Sequence, residues 1–306
     1  MPELAIIIVS YNTRSLLRRC LSHLMPRVSG LAAQVVVVDN ASSDGSAQMV
    51  WNEFPDVRVM ANADNVGFAA ASNQAIRATD SRYVLLLNTD AFPHDAALEE
   101  LRRTMDDDGQ IAVAGPRMQS ADGVPLASAH RVETLGKLAA AALGIHRLLP
   151  AKVNRSAARL LGRAGAQHLL NYEATRPADV DWVSGACMMV RRSAITQVGL
   201  MDERYFMYME DEDWCRRLRQ TGYRVVYVPS AKVTHCVGRS AASAAIGARI
   251  YRHSRLIYHK QYHPHLYPVF WLLSNLYAAR QCGLVVLTNL FDRSHENMDG
   301  ARYQSG

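Results

Sequence analysis

Five short apolar runs, the first four closed by polar residues and followed by helix-like segments, constrain this chain more than any other feature. They are LAIIIVS (4–10), QVVVVDN (34–40), VRVMA (57–61), YVLLLNTD (83–90) and IAVAGP (111–116). Between them lie TRSLLRRCLSHLM, DGSAQMVWNEF, FAAASNQAIRATD and HDAALEELRRTMDDD. Strands that are apolar throughout are covered on both faces, and βαβα alternation implies a mostly parallel sheet. In such sheets ligands sit beyond the carboxyl ends of the strands. The residues closing each run are therefore the ones to inspect.

They are polar and chemically specific: Ser10-Tyr11-Asn12, then Asp39-Asn40, then Asn62 and Asn65-Val66-Gly67-Phe68, then Asn88-Thr89-Asp90. Any one of these could be a turn, and Asp44 and Asp95 suit helix N-caps. Four such ends on one edge favour a nucleotide cleft. No GxGxxG follows the first run and no GxxxxGK[ST] appears, which argues against dinucleotide and P-loop chemistry.

Residues 117–180 lose the alternation and read as an Ala/Leu/Arg-rich insertion on the acceptor side of the cleft, outside the sheet. VDWVSGACMMVRRSAITQVG (180–199) reads as a strand with a Ser184-Gly185 break, then a short helix. After the strand-like YRVVYVP, His235 falls in an expected loop. The C-terminal region, 241–306, mixes aromatic, His and Arg residues; Asn275, Arg280 and Gln281 interrupt its most apolar part, 266–291. That is an interfacial amphipathic pattern rather than a membrane span. A packed helix pair or a dimer interface is the alternative.

The net charge of +6 is concentrated in 147–163 and 249–260, a positive patch suited to an anionic partner. Five scattered cysteines without CxxC spacing fit a reducing compartment, and MPELAIIIVS lacks the features of a signal peptide. The expected location is cytoplasmic. The basic clusters lack a nucleic-acid-binding motif, so no nucleic-acid partner is expected.

In FMYMEDEDWCRRLRQTGY (206–223), Glu210, Asp211, Glu212 and Asp213 stand in succession at the expected start of a helix. Acids there gain roughly 0.3–1 kcal/mol each from the helix N-terminus. That explains one or two carboxylates, not four.

The ordered series IVSYN, VVVVDNASSDGS, NADNVGFAAASN, LLLNTDA, WVSGACMMVRRSA, MDERYFMYMEDEDWCRRLRQTGY and VTHCVGRS resembles family 2 glycosyltransferases of the GT-A fold. Among these it is similar to bacterial rhamnosyltransferases that build cell-wall linkers and O-antigen or capsule glycans. The likeness covers 4–240. It implies a Rossmann-like GT-A domain at 1–240, followed by a helical, membrane-associating region at 241–306.

The resemblance also implies site roles. Ser10, Tyr11, Asn12, Asp39, Asn40, Asn65, Gly67, Asn73, Asn88 and Thr89 would bind the nucleotide, with Asp39 accepting from the pyrimidine N3–H. Asp90 and His235 would hold a divalent metal, Mg²⁺ or Mn²⁺, although Asn88 replaces the first acid of the usual metal motif. Arg239 would meet the diphosphate. Trp182, Ser184, Gly185, Asp213 and Trp214 would form the sugar and acceptor side, with Asp213 also a candidate anchor and Trp182 a candidate core residue. Asp211 would be the general base and Glu210 the alternative.

The implied activity is inverting transfer of a sugar, L-rhamnose from dTDP-β-L-rhamnose first, onto a lipid-linked saccharide at the inner face of the membrane. Another dTDP or UDP sugar donor is the alternative within the fold. A sugar nucleotidyltransferase would need a glycine-rich first loop where this chain has SYNTRS. A non-catalytic carbohydrate-binding module is the third reading.

Overall fold

The computed structural model describes residues 2–132, 135–136, 138–139, 174–236 and 244–278. Compactness divides the chain into two units, 1–132 with 151–254, and 133–150 with 255–306. The first unit carries the sheet. Its strands are β1 (Leu4–Ser10), β2 (Ala33–Asp39), β3 (Arg58–Ala61), β4 (Tyr83–Leu87), β5 (Ala91–Pro93), β6 (Ile111–Gln119) and β7 (Pro125–Leu126). They continue with β8 (Ala129–His130), β9 (Ala178–Asp179), β10 (Trp182–Val183), β11 (Cys187–Arg191) and β12 (Arg224–His235). The helices are α1 (Arg14–Val28), α2 (Ser46–Glu53), α3 (Phe68–Arg77), α4 (Ala97–Asp107), α5 (Arg192–Val198), α6 (Glu210–Gln220) and α7 (Ala244–Tyr262).

The main sheet runs β3-β2-β1-β4-β11-β6-β12-β5. Its continuous apolar strands bury both faces. Ile6, Ile8, Val35 and Val37 join Leu17, Leu21, Met49 and Leu101 in one core, with α1, α2 and α4. Ile7, Val36 and Val38 point the other way, onto Ala71, Ile76, Ile195 and Leu218 of α3, α5 and α6. Each such side chain contributes about 1.5–3 kcal/mol when fully buried. A run that alternated with polar residues could not serve two cores.

The sheet is mixed rather than mostly parallel. β3, β2, β1 and β4 are parallel, but β11 enters antiparallel between β4 and β6, with Cys187 opposite Leu87. An apolar run does not encode its direction; that depends on where the preceding segment delivers the chain. The flanks of 117–180 also belong to the sheet: β6 extends to Gln119, β7 pairs with it, and β9 pairs with β12. Most of the remaining insertion lies outside the described residues. So do Arg239, Cys282 and residues 279–306 of the C-terminal region.

His235 is the last residue of β12, not part of a loop. A register shift between Val228 and Lys232 carries β12 past the end of its first pairing with β6. Its final residues pair antiparallel with β5, placing His235 opposite Ala91. Asp95 does not cap α4: the helix starts at Ala97 behind a left-handed Ala96, and Asp95 pairs with Arg27 at 2.9 Å. Asp44 does bind the start of α2, accepting from the N–H and hydroxyl of Ser46.

In the second unit, residues 267–278 are helical. Leu266, Val269, Trp271, Leu272 and Leu276 are exposed there, whereas Phe270 and Ser274 are buried. Among the described residues no helix is long and apolar enough to cross a membrane.

Candidate active site

The parallel strands β1 and β2 end level, with Ser10 opposite Asp39, so their following loops leave one edge of the sheet together. Local polar side chains lock those loops. Ser10 Oγ meets Thr13 Oγ1 at 3.0 Å. Asn12 sits in the left-handed region (φ 52°), its N–H donating to Ser42 Oγ and its Oδ1 accepting from Ser43 N. Tyr11 is left exposed between them. A groove of about 420 Å³ opens here, lined by Asn12, Arg14, Arg18 and Asp44 among others; its lining includes neither Asp90 nor Asp211.

Asp39 is the chemically informative residue of this edge. It is 3 % exposed, and its Oδ2 accepts from Ser42 N at 3.0 Å. Its Oδ1 is buried without a hydrogen-bond partner. An unsatisfied buried acceptor costs about 1–3 kcal/mol, more when charged. A ligand N–H at that point would remove the cost.

The neighbouring asparagines behave differently. Asn40 is buried and staples β2 to the next loop, donating to Gly67 O at 3.1 Å and accepting from Asn62 Nδ2 at 2.8 Å. Asn65 Oδ1 takes the N–H of Gly67. Asn73 does not offer a nucleoside contact: fully buried, it donates to Met201 O and Glu203 Oε1 and accepts from Met201 N. Gly67 does permit a close backbone approach, but to protein. A Cβ on it would lie 2.4 Å from Phe206 O, and its φ of +86° disfavours any side chain. Phe68 N donates to that same Phe206 carbonyl at 2.7 Å.

The end of β4 leads to the second cluster. Asn88 N donates to Ala186 O at 2.9 Å, tying this loop to the start of β11, and Thr89 is buried beside it. Asp90 is 2 % exposed, and its Oδ1 lies 3.1 Å from His235 Nε2. Cys236 N also donates to Asp90 O, fixing the two strands at this point. Among the described residues no group of three His, Cys, Asp or Glu side chains gathers as a metal cage. A carboxylate oxygen and an imidazole nitrogen about 3 Å apart nevertheless match adjacent ligands of an octahedral ion with ~2.1 Å bonds. One carboxylate oxygen and one imidazole nitrogen are donors that Mg²⁺ or Mn²⁺ accepts, so the pair fits a divalent ion.

The third cluster is the start of α6, and there the four acids divide their work. Asp211 Oδ2 accepts from Gly185 N at 3.0 Å and its Oδ1 accepts from Glu212 N at 2.9 Å, and the residue as a whole is half-buried. Glu210 is buried, with Oε2 unpartnered. Burial, and then the charge of Asp211, push the Glu210 carboxyl well above the usual carboxylate range. Burial also raises Asp211, but the Gly185 and Glu212 N–H groups oppose it. Of the two, Asp211 is the less strongly raised and the one whose carboxylate is fixed by backbone N–H groups.

Asp213 is the anchor. It is fully buried and bonded to Arg217 at 2.8 Å. Glu212 is buried as well. Trp214 cannot stack on a sugar, because it has no exposed surface and its Nε1 donates to Gly199 O. Trp182 is partly buried, with one face stacked on His130 at 3.9 Å and its Nε1 unpartnered. Ser184 is spent on the turn before β11, donating to Ser128 O and accepting from Ala186 N, whereas Gly185 meets Asp211.

Tyr208 and Met209, directly before α6, both occupy the left-handed region (φ 70° and 71°) without being glycine. Sequence patterns give no sign of this. Nor do they reveal the carbonyls of Ala186 and Phe206, since a backbone acceptor carries no residue signature.

Comparison with known proteins agrees with this arrangement. Residues 5–199 match the family described as glycosyl transferase family 2. The chain is 32% identical over 257 residues to the N-acetylglucosaminyl-diphospho-decaprenol L-rhamnosyltransferase of Mycobacterium tuberculosis, covering 78% of this chain and 79% of the relative. It is 28% identical over 230 residues to a low-salt glycan biosynthesis hexosyltransferase of Haloferax volcanii, covering 74% and 64%. Among solved structures it resembles a Pyrobaculum calidifontis mannosyltransferase in complex with GDP-Man and Mn²⁺. That match has a TM-score of 0.55 at 17% identity and covers 99% of this chain and 81% of that one. The chain belongs to glycosyl transferase family 2, and it is a glycosyltransferase of the GT-A fold with a mixed sheet.

Proposed function

We propose that the enzyme transfers L-rhamnose, with inversion, from dTDP-β-L-rhamnose to a lipid-linked saccharide. The observation that carries this reading is a short backbone path between two chemical groups. Asp211 binds Gly185; the next residue, Ala186, binds Asn88; and two residues on, Asp90 meets His235. A carboxylate and a metal-type pair are thus tied to the same strand end. The name of the Mycobacterium tuberculosis relative supports both rhamnose and a polyprenyl-linked acceptor.

In this reading the thymine N3–H fills the unpaired Oδ1 of Asp39. Asp90 and His235 would hold Mg²⁺ or Mn²⁺, which would supply positive charge to the leaving diphosphate. Asp211 takes the proton of the acceptor hydroxyl while that oxygen forms its bond to the anomeric carbon and the bond to the β-phosphate oxygen breaks. Such a base contributes typically about 10²–10⁴-fold. Its two backbone hydrogen bonds keep it oriented, and they oppose the rise that burial imposes on its carboxyl. Glu210 beside it has a raised affinity for a proton, from burial and from the Asp211 charge.

The exposed apolar residues of 266–276 support a further part of the reading, peripheral docking on an anionic membrane surface at the cytoplasmic face, where a lipid-linked acceptor would be met. A pairing of this face between two copies would show instead as a dimer in solution.

A donor screen tests the proposal. The purified protein with Mn²⁺ is offered dTDP-rhamnose, dTDP-glucose, UDP-galactose and UDP-N-acetylglucosamine, with thermal protection and turnover as readouts. Selective turnover of dTDP-rhamnose is expected. Preference for a UDP sugar would overturn the rhamnose assignment and leave the base and the metal pair in place.

A further inference from the structure

The loop that delivers the acidic pair is held by the start of α3 and by α7. At the start of α3, Phe206 O accepts from Phe68 N, against a glycine that leaves no room for a side chain. On the other side stands α7. Ser254, fully buried, donates its hydroxyl to Met207 O at 2.8 Å. The ring of Tyr251 meets Tyr208 edge-on, with centroids 5.7 Å apart and planes at 75°. The Tyr208 hydroxyl lies 3.5 Å from the point where a Cβ on Gly247 would sit. The three contacts fall on consecutive turns of α7, and they fall on the residues leading into and through the left-handed pair.

Two successive left-handed residues without glycine are a sparsely populated backbone state that persists only where its surroundings impose it. The helix carrying Asp211 starts immediately after them, at Glu210. A change in their dihedral angles would swing the first turn of α6 and move the Asp211 carboxylate away from Gly185 N. The burial that raises the Tyr208 phenol, together with the nearby Glu210 charge, agrees with a ring packed between α7 and the acidic pair.

We propose that α7 is a clamp on residues 206–209, and that Ser254 and Tyr251 are positioning residues that set the catalytic geometry of Asp211. The proposal rests on the reading of Asp211 as the base. It gives the first turns of this C-terminal helix a part in the reaction although they carry no chemistry of their own. A displacement of about 1 Å at a reacting group can cost on the order of 10²-fold in rate.

The test compares Ser254→Ala, Tyr251→Ala, the double variant and Tyr251→Phe, in the full chain, with whichever donor the wild type turns over. Asp211→Asn runs in parallel. The double variant is expected to lose about tenfold or more in kcat, with the donor KM and dTDP binding within about twofold of wild type and the melting profile retained. Tyr251→Phe, which keeps the ring contact, should keep the wild-type kcat. A merely structural role would lower nucleotide binding and thermal stability along with kcat, and that pattern overturns the proposal. Wild-type kcat in the double variant also overturns it, provided Asp211→Asn is inactive. Full activity of Asp211→Asn would instead remove the base assignment itself.

Discussion

The carboxylate of Asp211 is held by the backbone of Gly185, whose N–H donates to Oδ2 at 3.0 Å. A Cβ on Gly185 would sit 3.6 Å from that same oxygen, an ordinary contact. The glycine is thus not required by space, and the position is defined by its N–H. This bond joins α6, which carries the acid, to the turn before β11, whose Ala186 O in turn accepts from Asn88 N after β4.

Asp211, the proposed base, is the first residue to change. Asp211→Asn keeps the size of the side chain and should lower turnover by about 10²–10⁴-fold. Binding of dTDP with Mn²⁺, measured by calorimetry, should stay near wild type. Loss of binding in the same proportion as turnover would place Asp211 in donor binding instead of proton transfer.

Asp39 should report on the base of the nucleotide. Its buried Oδ1 lacks a partner, so Asp39→Ala is expected to weaken dTDP binding by about 10–100-fold, the equivalent of one charge-assisted hydrogen bond. Discrimination against a cytidine diphosphate, which lacks the N3–H, should fall at the same time. An unchanged preference for thymine would reject the assignment.

The Asp90–His235 pair predicts how metal is used. Chelation should abolish turnover. Asp90→Ala and His235→Ala should each raise the Mn²⁺ concentration for half-maximal activity by about tenfold or more. Because both act on one ion, the double variant should cost less than the product of the single effects. Simple additivity would mean that the two side chains serve different ends.

Glu210 gives a pH dependence of known sign. Its carboxyl is held well above the ordinary 4.5 by burial and by Asp211, so the folded protein binds that proton more tightly than the unfolded chain. The corresponding stability is complete below the ordinary value and is lost as pH rises through the folded value. Glu210→Gln remains neutral throughout. Its denaturation midpoint should exceed that of wild type at neutral pH, with the gap closing on acidification. A gap independent of pH would show that Glu210 does not titrate in this way.

Membrane docking is best tested without disturbing α7, because deleting the C-terminal region would also remove the contacts of Ser254 and Tyr251. Leu272→Asp with Leu276→Asp places charge on the exposed apolar face of the second unit. Sedimentation with anionic phosphatidylglycerol vesicles should fall steeply while donor turnover in solution is kept. Equal vesicle binding by variant and wild type would reject the docking surface.

The sequence alone determined the layered core and one edge of the site. Runs such as VVVV and LLL are apolar at every position, so they had to be covered on both sides, and the polar residues closing them had to emerge at strand ends. Ser10, Asp39 and Asp90 follow from that. Only the tertiary structure decided what depends on chain direction and on backbone partners. β11 runs antiparallel because of where the preceding segment delivers it, and His235 belongs to a strand because a register shift carries β12 onto β5. Trp214 and Asn73 look like ligand contacts in a linear motif, yet both are fully buried. A sequence lists which side chains are available; which of them face a cleft is settled by the neighbours that occupy the other directions, and those neighbours come from distant parts of the chain.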